Sequence, residues 1–185
     1  MPVWLIVILV VIVLIVVWGT SIYNKLVRAR NDCEEGFSTM DVYMKKRFDL
    51  VPNLVETVKG YAKHEGETLE KVIAARNSTA SAATPEARAE SENVLSGALR
   101  QLFALSEAYP DLKANTNFMD LQAQLKRIEE DIANSRKFYN AVVKAYNNAC
   151  MMIPSSIVAS LGGFKTKTMF IVDDEAERQN VKVQF

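Results

Sequence analysis

The apolar and polar positions along this chain fall into two regimes. From Val3 to Trp18 there is no alternation at all, only sixteen consecutive apolar residues, V-W-L-I-V-I-L-V-V-I-V-L-I-V-V-W. Extended to Ile22 the stretch is 20 residues, which as a helix spans about 30 Å, the thickness of a bilayer's hydrocarbon core. In lipid every backbone N–H and C=O must be paired within the segment, so helix is imposed even on valine and isoleucine. The aliphatic side chains favour insertion by roughly 4–8 kcal/mol in sum. Pro2 sits where a first helical residue tolerates proline, and Trp4, Trp18 and Tyr23 mark the two ends as interfacial aromatics do. A cleaved signal peptide would need a basic leader and an A-x-A site; neither is present, so the stretch reads as an uncleaved anchor. It contains no glycine before Gly19, hence no G-x-x-x-G dimerisation seam.

After the anchor the pattern becomes helical. Leu26, Cys33, Phe37, Met40, Met44, Val51, Leu54, Val58 and Tyr61 recur mostly at intervals of three and four, with Arg30 and Arg47 on the same seam. On an apolar seam those arginines either snorkel or are buried and paired. No loop signal separates Trp18 from Leu26, so the anchor is expected to run on as one rod, with Gly19 the one hinge candidate. Gly36 weakens the helix, and Pro52 is expected to bend or break it near Phe48–Val51. A stop around His64-Glu65-Gly66 precedes a shorter helix over 67–79. S-T-A-S-A-A-T-P reads as a connector, with Thr84 capping a helix that has Pro85 at its first position and runs to Ala108. After Pro110 a tight connection leads to a last helix, capped by Asn117. Its seam of Phe118, Leu121, Leu125, Ile128, Ile132, Ser135, Tyr139, Val142, Tyr146 and Ala149 runs without a slip to Pro154. Leu161–Phe164 reads as a turn and 166–172 as short and β-prone.

These elements predict an all-α fold: an N-terminal single-pass transmembrane helix continuing into an antiparallel bundle of three to four long helices. The divisions are an anchor at 1–23, a bundle at 24–153 and an irregular tail at 154–185. The long seams also suit an oligomeric coiled coil. Lys25, Arg28 and Arg30 follow the span directly, so the positive-inside rule places the body in the cytoplasm.

Composition adds constraints. The 185 residues carry 22 basic and 22 acidic side chains, which removes any case for nucleic-acid binding from net charge. Cys33 and Cys150 suit apolar helix faces and a reducing compartment rather than a disulfide. The one histidine, His64, precedes a glutamate, but Thr68 stands where a zinc-protease motif needs its second histidine. Phosphate-loop, dinucleotide and nucleophile-elbow motifs are absent from the sequence. Glu129-Glu130-Asp131 reads as a solvated face and Lys45-Lys46-Arg47 as solvated or ion-paired. Tyr-Asn recurs at Tyr139-Asn140 and Tyr146-Asn147, seven residues apart on one face, and reads as a structural polar network. No catalytic, cofactor-binding or metal-ligating residues are assigned. The alternative is a ligand-binding or enzymatic patch near Arg47, Asp49, Tyr139, Asn140 and Asn147.

Arg47–Glu65 (R-F-D-L-V-P-N-L-V-E-T-V-K-G-Y-A-K-H-E), Glu107–Asn115 (E-A-Y-P-D-L-K-A-N), Asn117–Gln122 (N-F-M-D-L-Q) and Phe138–Asn147 (F-Y-N-A-V-V-K-A-Y-N) together resemble the LemA family. Tyr23-Asn24, Pro154 and Gly163-Phe164-Lys165 fit as well, so the resemblance covers nearly the whole chain. Met151-Met152-Ile153 departs from it, where acidic and aromatic residues are common before the proline. The resemblance implies a bacterial membrane protein with an N-terminal anchor, a helical bundle and no established enzyme activity; the inner membrane is the expected location, and no cofactor is expected. Some members of that family are encoded near membrane metalloproteases, so the resemblance hints at a membrane protein such as a metalloprotease as a partner. The reading is a membrane-anchored scaffold or adaptor, or a self-assembling structural protein.

Overall fold

A computed structural model describes residues 2–170. Among these the regular secondary structure is all helix, without strands, and the chain begins with an apolar helix. Six helices follow in order: α1 (Val3–Tyr61), α2 (Gly66–Ser81), α3 (Pro85–Ser106), α4 (Pro110–Lys113), α5 (Thr116–Met151) and α6 (Ser155–Leu161). They divide into two compact units. One holds residues 1–40 and 134–169; the other holds 41–133 and continues from Phe170. Both α1 and α5 contribute to each.

The span and the long seam form one helix with no hinge at Gly19. Val3 to Trp18 stays exposed along its length, and it is the one described helix long and apolar enough to cross a membrane. Pro52 does not break α1, contrary to the expectation from its missing N–H. The carbonyl that loses its partner to Pro52 is that of Phe48, four residues back, and Arg76 Nε on α2 donates to it at 2.9 Å. The same guanidinium lies 3.6 Å from the Phe48 ring centroid, a close cation–π contact. An arginine from another helix thus replaces the missing backbone donor.

The second unit is built on a core of Val51, Leu54, Val58, Val72, Leu95, Leu99, Leu102, Leu112, Phe118 and Leu125. Thr84 caps α3 as expected, accepting from Ala87 N at 3.1 Å. The cap of α5 is Asn115 rather than Asn117: its Oδ1 accepts from Phe118 N at 3.0 Å, and α5 opens at Thr116. Asn115 also donates to Tyr61 Oη at 2.8 Å, tying the end of α1 to the start of α5.

In the first unit, Leu26, Cys33 and Met40 of α1 and Tyr139, Val143 and Tyr146 of α5 are buried. Gly36 lies against Phe138 and the Tyr139 backbone, and Phe37 meets Tyr139 edge-on at 5.8 Å. The tail departs from the irregular structure expected from residue 154. After a cis Ile153–Pro154 bond, Ser155–Leu161 forms α6, whose Ala159 is buried. Residues 164–170 then run without regular secondary structure. The expected β-prone run reaches beyond the described residues at 171–172, and the polar stretch 173–185 lies wholly outside them.

Candidate functional site

Two polar centres stand out, one in each unit. In the second unit Arg47 is the largest fully buried side chain, with none of its surface exposed. It meets Glu92 of α3 through Nη2 and Glu129 of α5 through Nη1, and donates to Ser96 Oγ at 2.6 Å. Arg88 continues the network, with Nη2 at 2.7 Å from Asp41 and Nε at 3.6 Å from Glu92. Along the path Asp41, Arg88, Glu92, Arg47, Glu129 the charges alternate in sign. Low dielectric makes each unpaired charge there costly and each pair strong. Arg47 Nε and Arg88 Nε have no hydrogen-bond acceptor. Of the two alternatives the seam left for Arg47, snorkelling or buried and paired, the structure shows the second, with partners from two other helices. Glu129 is therefore an ion-paired group, not part of a solvated face, whereas Glu130 and Asp131 are exposed.

A cavity of about 260 Å³ opens beside this network, lined by Ser96, Leu99, Arg100, Phe103, Leu125 and Glu129. Its lining is mainly apolar, with Glu129 shared between the cavity and Arg47.

In the first unit the Tyr-Asn face of α5 grips the segment after α6 by its backbone. Tyr139 Oη donates to the Thr168 carbonyl at 3.0 Å and Tyr146 Oη to that of Lys165 at 2.9 Å. Asn147 uses both ends of its amide: Nδ2 donates to Lys167 O and Oδ1 accepts from Lys167 N, each at 2.8 Å. An amide side chain can do this because it carries the same donor and acceptor as a peptide group. The tail residue is held as a neighbouring strand would hold it. Lys167 Nζ also reaches Glu34 of α1 at 3.4 Å. Burial, and then the neighbouring Cys150 thiol, push the Tyr146 phenol up to about 12. Burial likewise raises the Cys33 thiol, against a smaller opposing effect of Lys167. Both cysteines are free.

The residues of the patch expected from sequence are divided between the two units. Arg47 and Asp49 belong to the second unit; Tyr139, Asn140 and Asn147 belong to the first. Asp49 is exposed and pairs with Lys45 at 3.1 Å. His64 lies exposed in the turn after α1. Arg76 was missed as a functional position, since its signal was only an arginine on an otherwise ordinary amphipathic helix.

Comparison with known proteins sets these features in a family. A profile described as the LemA family matches residues 36–185. The chain belongs to the LemA family. Among curated LemA relatives, Protein LemA of Metamycoplasma hominis is 25% identical, covering 74% of this chain and 63% of its own length. Magnetosome protein MamQ 2 of Paramagnetospirillum magneticum and Magnetosome protein MamQ of Magnetospirillum gryphiswaldense are each 23% identical, covering 80% of this chain and 64% of their own length. The chain thus spans just under two thirds of these relatives. The LemA-like segment Arg47–Glu65 supplies the buried arginine, the stacked Phe48 and Pro52, and Phe138–Asn147 supplies the tail-gripping face.

Proposed function

We propose that this LemA-family chain is a membrane-anchored helical scaffold or adaptor rather than an enzyme. The observation that carries the reading is how its polar centres are used. Arg47 pairs with Glu92, Glu129 and Ser96, and Tyr139, Tyr146 and Asn147 bind the chain's own tail. Both arrangements serve the fold. An antiparallel bundle belongs to this reading, and the Phe37–Tyr139 ring contact between α1 and α5 supports it. The anchor lies in the bacterial inner membrane as a single pass, with Lys25, Arg28 and Arg30 holding the body on the cytoplasmic side. An architectural role accords with relatives named as magnetosome proteins. Self-association through the helical seams, or docking to a membrane protein such as a metalloprotease, are the forms it takes.

In-membrane cross-linking of the full chain followed by mass spectrometry tests this. A reproducible self-adduct or partner adduct is expected. A strictly monomeric protein with no cross-linked partner would sink the reading. A reporter fused after Phe185 should be active on the cytoplasmic side; activity on the outer side reverses the orientation. The cavity beside Glu129 favours a second reading, a ligand-binding module. Filling it by Leu99→Phe should then abolish the cellular role without loss of stability.

A further inference from the structure

We infer that the α5–α6 elbow is a second, monotopic membrane contact that inserts into the same leaflet from which α1 emerges. The inference rests on the reading that α1 spans the bilayer. The elbow is the most apolar exposed surface of the first unit outside the span itself. Met151 and Met152 are each 63% exposed, Ile153 83%, Ile157 60% and Leu161 86%. Ile157 and Leu161 are one turn apart on α6, away from buried Ala159. A cluster of this kind on a protein surface marks a site covered in use.

Its position says what covers it. The Phe164 ring meets Tyr23 edge-on at 5.3 Å. Gly162 approaches the same tyrosine so closely that a Cβ there would lie 3.1 Å from its Cε2. Tyr23 is the residue that follows the apolar span. The elbow is therefore held beside α1 where the helix leaves the hydrocarbon, within the same compact unit.

Charge is arranged to match. From Ala145 to Phe164 the sequence contains no ionisable Asp, Glu, Lys or Arg. The flanking residues are cationic: Lys165 follows directly, Arg30 of α1 lies 5.5 Å from the Phe164 ring centroid, and Lys167 beyond them is paired with Glu34. Lys25 and Arg28 stand on α1 just past the span. An apolar tip with a basic rim fits acyl chains below and anionic headgroups around it. A helix of this type settles about 5–10 Å into the headgroup–acyl boundary.

The test uses the full chain, with its two tryptophans replaced by Trp4→Phe and Trp18→Phe. Single tryptophans are then introduced as Ile157→Trp, Leu161→Trp or Val10→Trp. Each protein is reconstituted in vesicles of phosphatidylethanolamine and phosphatidylglycerol brominated at a defined acyl depth. Circular dichroism confirms equal helicity. The expected result is deep quenching of Val10→Trp, with Ile157→Trp and Leu161→Trp blue-shifted and quenched most by shallow bromines. If Val10→Trp is quenched while both elbow probes emit as in water, the elbow does not insert and the inference is overturned, with the anchor intact. If the elbow probes are blue-shifted but insensitive to bromine, and the shift fades on dilution into excess lipid, a second copy covers the patch and the inference is again overturned. If Val10→Trp is itself unquenched, the anchor reading fails and takes the inference with it.

Discussion

Replacing Arg47 by methionine should be among the most damaging single changes available in the second unit. Methionine fills much of the vacated volume, so little cavity cost is added. The loss is electrostatic. Glu92, whose side chain is only 6% exposed, would keep a single cationic neighbour, Arg88 Nε at 3.6 Å, and Arg88 is already engaged by Asp41 at 2.7 Å. Glu129 is 37% exposed and can recover hydration, so it contributes less. Breaking a buried pair in this way costs about 3–5 kcal/mol. With a urea slope of about 2 kcal/mol per M, the unfolding midpoint should fall by roughly 2 M. The check is urea denaturation in detergent, followed by circular dichroism. A compensated variant makes the argument sharper. Arg47→Met with Glu92→Leu and Glu129→Gln removes the uncompensated charge together with the orphaned Arg47 Nε, which alone costs about 1–3 kcal/mol. That triple variant should lie within about 1 kcal/mol of the natural protein, or above it. Because the pair is buried, raising salt to 1 M should change the difference little. A shift below about 0.5 M for Arg47→Met, set against that 2 M expectation, would refute the reasoning. So would a triple variant as unstable as the single one.

Other outcomes follow from the same contacts. Arg76→Met should cost about 2–4 kcal/mol, because it removes both a charge-assisted bond to the Phe48 carbonyl and a stacked cation. Pro52→Ala should stabilise the Arg76→Met protein more than it does the natural one, which a double-mutant cycle on urea midpoints measures. Asn147→Ala should release the tail and speed tryptic cleavage after Lys165 and Lys167; unchanged cleavage would show that the two amide bonds do not hold it. The phenol of Tyr146 sits at about 12 in the folded protein and near 10 when unfolded. The folded state thus holds that proton more tightly, so its stabilising contribution is present below pH 10 and is lost as pH rises from 10 to 12. Tyr146→Phe should flatten the fall in melting temperature across that window, and an equally steep fall would argue against the assignment.

The long helices and most of their limits were legible in residue spacing, because a seam at intervals of three and four needs no knowledge of partners, whereas the four-residue α4, read as a tight connection, is too short to show one. The same seam left Arg47 either snorkelling or buried and paired, and could not name Glu92 and Glu129, which lie on other helices. Pro52 misled for a related reason. Its cost is local, while its remedy, Arg76, lies 24 residues away. The Tyr-Asn face was readable as a polar network, but not as a clasp on residues 165–168, since it binds main-chain groups that every sequence carries. At 155–161 the loss of the long period hid a short helix, too brief for periodicity to register.

The continuity of α1 from Val3 into the packed body has a rotational consequence. A helix advances about 100° per residue, so the face that buries Leu26, Cys33 and Met40 also sets the azimuth of every residue in the span. Carried back by sevens and fours, that face meets Gly19 and Ile15. The anchor is thereby keyed: it offers one chosen meridian to the lipids, or to a neighbour, beneath the body. Inserting one residue after Gly19 would turn that meridian through about 100°, whereas inserting seven would return it to within about 20°.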